Sequence, residues 1–181
     1  IPDHAIVICY IGRLTVDKGV LELVRAFASL TDESINLWLL IVGPDEESLV
    51  TEIDAISNNV RHRLSYVGFS SEPECYMAAS DIFCLPSHRE GFGSSVIEAA
   101  ACGLPTITTR IYGLADSVSD NVTGVTFAAG DHPELAACIL RLAVDGALRA
   151  QMAISGRRRV EQYFSQIILQ KALKTFYKRI L

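Results

Sequence analysis

Short runs of consecutive apolar residues alternate with longer stretches in which apolar positions recur every three or four residues, and this rhythm continues along most of the 181-residue chain. A run that is apolar at every position suits a strand covered on both faces, and the wider spacing suits a helix with one buried stripe. Six strands are predicted, over residues 5–11, 36–42, 63–67, 81–86, 105–109 and 123–128. Helices are predicted over 18–30, 46–57, 72–79 and 95–102, with a helical end from 131 onward. Such alternation builds βαβ units. The expected fold class is therefore α/β, a Rossmann-like three-layer α/β/α domain around a mainly parallel sheet of about six strands. Ser71 and Asp131 stand three residues before Glu74 and Glu134, the spacing of an N-cap and the third helical position, with Pro73 and Pro133 in first turns where a missing N–H costs little. From Val160 to Leu181 apolar residues recur at helical spacing, predicting a C-terminal helix over 160–181 that needs a surface to cover, in this domain or in a missing one.

Half of the residues are apolar and no repeat, low-complexity segment or internal linker interrupts the pattern, so residues 1–181 should form one domain with one core. The abrupt opening Ile1-Pro2-Asp3-His4 suggests a unit taken from a longer two-domain protein. No apolar run approaches the roughly 18 residues of a membrane span, and the ordered regions of a signal peptide are missing. The cytoplasm is the expected compartment. Cys9, Cys75, Cys84, Cys102 and Cys138 are odd in number and scattered, which points to buried reduced thiols and away from a zinc site.

The net charge of −5 is unevenly spread. Residues 141–181 hold nine basic side chains against Asp145 and Glu161, a local charge of +7 that leaves −12 for residues 1–140. An acidic body argues against nucleic acid as a partner. The basic C-terminal helices are either a solvated face or a peripheral contact with an anionic membrane or partner, the former being favoured.

Candidate chemistry falls at two strand ends. Pro86-Ser87-His88-Arg89-Glu90-Gly91-Phe92-Gly93-Ser94-Ser95 runs from a strand through a glycine-containing loop into a helix that carries Glu98. Free amides at that helix start, with the helix dipole behind them, suit an anion such as a pyrophosphate. Glu90 lies just before the anion site and Glu98 about one turn beyond it, where two carboxylates could hold hydroxyl groups at opposite ends of one extended ligand. Ser95 with Glu98 also fits a capping box, and Glu90 a solvated loop acid. At the end of the first strand, Gly12-Arg13-Leu14 leads to Asp17-Lys18-Gly19, putting two cations on the same sheet edge to clamp the same diphosphate; alternatively both are ordinary loop residues. His88 reads as a bystander of the loop.

Taken together these segments resemble the C-terminal domain of the family 4 retaining glycosyltransferases of GT-B fold. The resemblance covers most of the chain. It rests on Gly12-Arg13-Leu14 with Lys18-Gly19, Val42-Gly43, Val67-Gly68, Ala79-Ser80-Asp81 with Leu85-Pro86-Ser87, Glu90-Gly91-Phe92-Gly93 spaced to Glu98-Ala99, Gly103-Leu104-Pro105-Thr106-Ile107, and Asn121-Val122-Thr123-Gly124. By that resemblance the chain is one half of a GT-B fold. Arg13 and Lys18 would stabilise the leaving diphosphate, Glu90 would face the donor sugar, and Gly12 would border the site. The amides of Phe92, Gly93 and Ser94 would hold the distal phosphate, Glu98 the ribose, and Gly43 and Phe69 would lie by the nucleobase. Asp116 stands where many relatives carry Glu. Similarity to bacterial polysaccharide-building members implies a UDP-sugar in preference to GDP- or ADP-sugars, a saccharide or lipid-linked acceptor bound by the missing N-terminal domain, and no cofactor or metal. The isolated domain is expected to bind donor and to transfer nothing. A nucleotide-sugar epimerase and a non-catalytic interaction module on the same fold are the alternatives.

Overall fold

The computed structural model describes residues 1–30 and 35–180. Six strands, β1 (Ile6–Ile11), β2 (Leu37–Val42), β3 (Leu64–Gly68), β4 (Ile82–Leu85), β5 (Thr106–Thr109) and β6 (Gly124–Phe127), form one sheet in the order β3-β2-β1-β4-β5-β6. Every ladder is parallel. Each strand begins one residue later than the apolar pattern predicts, because the first residue of each run serves the incoming turn. Alternation along β1 sets the two faces. Val7 and Cys9 pack with Leu40, Val42 and Trp38 under Tyr76, whereas Ile8 and Tyr10 join the larger core with Val24 and Phe27.

Among the described residues there are seven α-helices: α1 (Val20–Ser29), α2 (Val50–Ile56), α3 (Pro73–Ala78), α4 (Ser94–Ala101), α5 (His132–Val144), α6 (Gly146–Tyr163) and α7 (Gln166–Ile180). α1 packs on both α2 and α5, while α3 and α4 lie together, with α6 along α4. The result is the three-layer α/β/α arrangement around a parallel sheet that the sequence predicts.

Several boundaries differ from the sequence reading. A short 3₁₀ turn, Val16–Lys18, precedes α1, and α2 starts only at Val50 because the Asp45 carboxylate accepts from the amides of Leu49 (2.8 Å) and Val50 (3.1 Å). Ser48, at φ 59°, bends the chain just before that start. Ser71 does not cap α3: Glu72 holds the N-cap position ahead of Pro73, and its amide donates to Ser70 Oγ. Asp131 does cap α5, accepting from the Glu134 amide at 2.8 Å. The helix expected over 160–181 is two helices, since Val160 belongs to α6, the chain turns at Phe164 and Ser165, and α7 begins at Gln166; Leu181 lies outside the described residues. All of α7 is exposed, so its apolar stripe finds no core in this domain.

All five cysteines are free, but they are not uniformly buried: Cys9 and Cys84 are, Cys102 and Cys138 are partly covered, and Cys75 is exposed on α3. Four arginines of the basic C-terminal region are tied down, Arg141 by donating to Asn121 Oδ1 at 2.6 Å and three others by donating to carbonyls. Arg149 donates to the Leu142 and Ala143 carbonyls at the end of α5, Arg157 to the Ala101 carbonyl at the end of α4, and Arg159 to the Asp116 carbonyl. Cations at helix C-termini satisfy carbonyls that no helical amide can reach.

Candidate functional site

The strand order reverses direction between β1 and β4, and the loops that leave their C-terminal ends diverge to opposite faces. In open parallel sheets this is where ligands bind. Both constellations singled out in the sequence fall there: the loop after β1 carries Gly12, Arg13 and Lys18, and the loop after β4 carries Ser87 to Gly93.

Close contacts join the two loops. Lys18 Nζ donates to Glu90 Oε1 at 2.6 Å, with only 17 % and 13 % of the two side chains exposed, and Ser87 Oγ donates to the same oxygen at 3.0 Å. The His88 amide donates to the Asp17 carbonyl at 2.8 Å, and Thr109 Oγ1 donates to the Ser87 carbonyl. Thr15 Oγ1 donates to Asp17 and, with Lys18, holds that carboxyl below its usual range. Glu90 is thus no solvated loop acid; it is oriented and charge-balanced before any ligand arrives.

Arg13 lies on the same edge but pairs elsewhere, its Nη1 standing 2.8 Å from Glu46 Oε2 in an exposed contact. The two cations therefore face two different acids. The turn beneath Arg13 is held by Tyr10, which sequence reasoning missed. Tyr10 is fully buried in β1, and its hydroxyl donates to the Arg13 carbonyl at 2.7 Å. Burial first, then the nearby charges of Asp17 and Glu90, push the phenol upward, so it stays a neutral donor. A lone tyrosine among aliphatic strand residues, two positions before Gly12, was the available signal.

Gly93, at φ 68°, is the N-cap of α4, and a Cβ there would meet Leu114 Cδ2 at 2.4 Å. The first amides used inside the helix are those of Val96 and Ile97, both directed at the Gly93 carbonyl. The Ser94 and Ser95 amides precede that ladder and are the ones a phosphate could take. The Ser95–Glu98 capping box does not form, because the helix starts one residue earlier and has no side-chain cap. Glu98 is consequently left exposed on α4. With Ser94, Phe92 and Ile97 it lines a cavity of about 440 Å³ whose far wall is Phe164 and Ile168. Phe92 meets the Phe164 ring edge-on at 5.8 Å between centroids.

Gly43 lies between the ends of β1 and β2. At φ 147° a Cβ would stand 1.8 Å from the Gly12 carbonyl oxygen, so only glycine lets the two strand ends approach. Its amide donates to the Gly68 carbonyl at 2.8 Å, and Phe69, just beyond, is exposed at the same edge. His88 points to α1, its Nε2 standing 3.4 Å from Glu22 Oε1. Among the described residues, no group of three or more His, Cys, Asp or Glu gathers as a metal site would require.

A reversed parallel sheet with a helix N-terminus, a lysine and an oriented acid at its switch point defines a Rossmann-like domain with its candidate site at that point. The chain belongs to the glycosyl transferases group 1 family, whose model matches residues 1–159. It is 35 % identical over 176 residues to the capsular polysaccharide biosynthesis glycosyltransferase CapM of Staphylococcus aureus, spanning 97 % of this chain and 46 % of that protein. Among solved structures it resembles the sucrose-phosphate synthase of Thermosynechococcus elongatus, with a TM-score of 0.89 and 27 % identity over 99 % of this chain and 46 % of that one. It also resembles Anabaena HepE in complex with UDP and glucose, with a TM-score of 0.88 and 25 % identity over 96 % and 48 % of the two chains. The chain therefore spans about half the length of the curated relatives it matches.

Proposed function

We propose that this chain is the donor-binding half of a retaining glycosyltransferase that moves a hexose from a nucleoside diphosphate, UDP in preference to GDP or ADP, to a saccharide or lipid-linked acceptor in bacterial polysaccharide synthesis. The observation that carries this reading is the Lys18–Glu90 pair beside the free amides of α4. The distal phosphate would sit on the amides of Phe92, Gly93 and Ser94, with the Ser95 amide beside them, the ribose on Glu98, and the base toward Gly43 and Phe69. Glu90 would then face the sugar. When an acceptor hydroxyl oxygen bonds to the anomeric carbon, the bond to the diphosphate breaks with its electron pair, and the acceptor proton is released. The charge gathering on the leaving group is what Lys18, joined by Arg13 once freed from Glu46, is placed to stabilise. These cations supply the role a metal would otherwise fill, and transfer by the complete enzyme should persist in excess EDTA.

In this reading the acceptor-binding N-terminal domain, part of the same longer polypeptide, forms the other wall of the cleft. The chain alone binds donor and transfers nothing. Calorimetric titration with UDP, GDP and ADP tests the reading directly. UDP should bind in preference, and Glu98→Ala should weaken it about tenfold or more, the loss expected of a charge-assisted hydrogen bond. No binding of any nucleotide at millimolar concentration, or an affinity unmoved by Glu98→Ala, would refute it. A peripheral contact of α7 with an anionic membrane belongs to the same proposal, supported by the exposed Lys171, Lys174 and Lys178 on that helix.

A further inference from the structure

A second cavity, of about 340 Å³, opens beside the site on its β5–β6 side. Its walls combine Ile111, Leu114 and Val118 with Arg110, Tyr112 and Asp120. Only one turn separates it from Glu90. Gly113 packs so tightly on the Glu90 main chain that a Cβ there would lie 1.8 Å from the Glu90 carbonyl oxygen. Along the sheet edge the order is Phe69 after β3, Gly43 after β2, Lys18 after β1, Glu90 after β4, and then this cavity after β5. A donor laid along that edge with its base at β3 and its diphosphate at β1 and β4 ends with its sugar at Glu90. The cavity is the next station.

The lining selects a chemical class. Tyr112 is 98 % exposed and covers no core in this domain, so its ring is free for a ligand. Asp120 is fixed as an acceptor: Oδ1 takes the Thr126 amide at 2.8 Å and Oδ2 takes Asn121 Nδ2 at 2.9 Å. Arg110 donates to the Thr126 carbonyl at 3.1 Å and lies 3.6 Å from Glu134, so its charge is partly balanced within the protein. Two acids near one guanidinium do not favour an anion. An apolar floor, an open aromatic ring and a rim of fixed acceptors suit a pyranose, which has one C–H face and a girdle of hydroxyls. The volume is at the small end of ligand sites, about 300–1,000 Å³.

We propose that this cavity is the subsite for the terminal sugar of the acceptor, with Tyr112 stacking on its C–H face and Asp120 accepting from its hydroxyls. The donor half would thereby choose part of the acceptor. The inference rests on the glycosyltransferase reading above, and one titration separates the two. The ¹⁵N-labelled chain would be followed by NMR with UDP, and then with methyl α-glucopyranoside, methyl α-galactopyranoside and methyl N-acetyl-α-glucosaminide, each up to about 50 mM. At least one glycoside should shift the Ala115, Val118 and Asp120 amides saturably, and should do so with UDP already bound. Tyr112→Ala should weaken that glycoside about two- to tenfold, and Tyr112→Phe should not. Tyr112 bears on no core, so both variants should fold.

No saturable shift in residues 110–120 with any of the three glycosides overturns the subsite, as does equal affinity in Tyr112→Ala. Glycoside shifts that vanish when UDP-glucose is bound would assign the cavity to the donor sugar and overturn it too. UDP shifts at Ser94 and Glu98 report on the donor reading alone, so a failed subsite leaves that reading standing, and their absence removes the ground beneath both.

Discussion

Lys18 reaches across the switch point to Glu90, its Nζ 2.6 Å from Oε1, and so ties the loop after β1 to the loop after β4. Both partners are mostly covered, so neither charge is fully compensated by water. A diphosphate arriving at α4 would draw Lys18 toward itself and release Glu90 for the sugar.

Lys18→Ala should therefore have two effects. Leaving Glu90 without its charged partner should lower the stability of the chain by about 1–3 kcal/mol, read from urea unfolding. In the complete enzyme, turnover should fall about 100- to 1,000-fold, the loss typical of one donor to developing charge. Unchanged turnover with reduced stability would make the pair purely structural.

Gly43→Ala should destabilise more than Gly130→Ala. Both positions have positive φ, but a Cβ at Gly43 would collide with the Gly12 carbonyl, whereas Gly130 has open space around it. The Gly130 variant should cost about 1–2 kcal/mol from backbone strain alone, and the Gly43 variant clearly more, because the β1 and β2 ends must part. Urea midpoints of the two variants decide it. Equal costs would show that the close approach relaxes freely.

Buried thiols set the alkaline limit. Burial pushes the Cys9 thiol up to about 12, against an ordinary value of 9.0, and raises Cys84 as well. The native state then keeps a proton that the unfolded chain loses, so stability should fall as pH rises from about 9 toward 12. Each such thiol contributes at most about 1.4 kcal/mol per pH unit. Cys9→Ala should flatten that slope. In thiol labelling at neutral pH the exposed Cys75 should react first, and Cys9 and Cys84 only after denaturation.

α7 offers a test of membrane contact. Lys171, Lys174 and Lys178 recur at helical spacing on one face, and Leu169, Leu173, Phe176 and Ile180 on another. Reversing the three lysines to Glu should weaken cosedimentation with anionic phospholipid vesicles by roughly 100-fold or more, at about 1 kcal/mol per lost lysine. Raising the salt should weaken the parent chain in the same direction. Arg157 and Arg159 are poor targets, since they bind the Ala101 and Asp116 carbonyls. Equal sedimentation of the triple variant and the parent would remove the membrane from the proposal.

Much of this was written locally. Continuous apolar runs located all six strands to within a residue at either end, because a strand covered on both faces needs apolar residues at every position. The Asp131 cap was legible, since its partner amide lies three residues on. The motifs around Gly12 and Glu90 could be placed at strand ends from the order of elements alone, and so assigned to the ligand edge.

Tertiary structure decided what depends on residues far apart in the chain. That Ser94 and not Ser95 opens α4 follows from Gly93 closing against Leu114, a contact no local pattern encodes, and it frees Glu98 from the capping role its spacing allowed. That Arg13 rests on Glu46 while Lys18 holds Glu90 depends on how the β1, β2 and β4 loops pack, although all four charges were visible in the sequence. Tyr10 is a supporting residue only because β1 buries it beneath its own turn. Secondary structure is set by periodicity within ten residues, whereas partners across 33 or 72 positions are chosen by the closed fold.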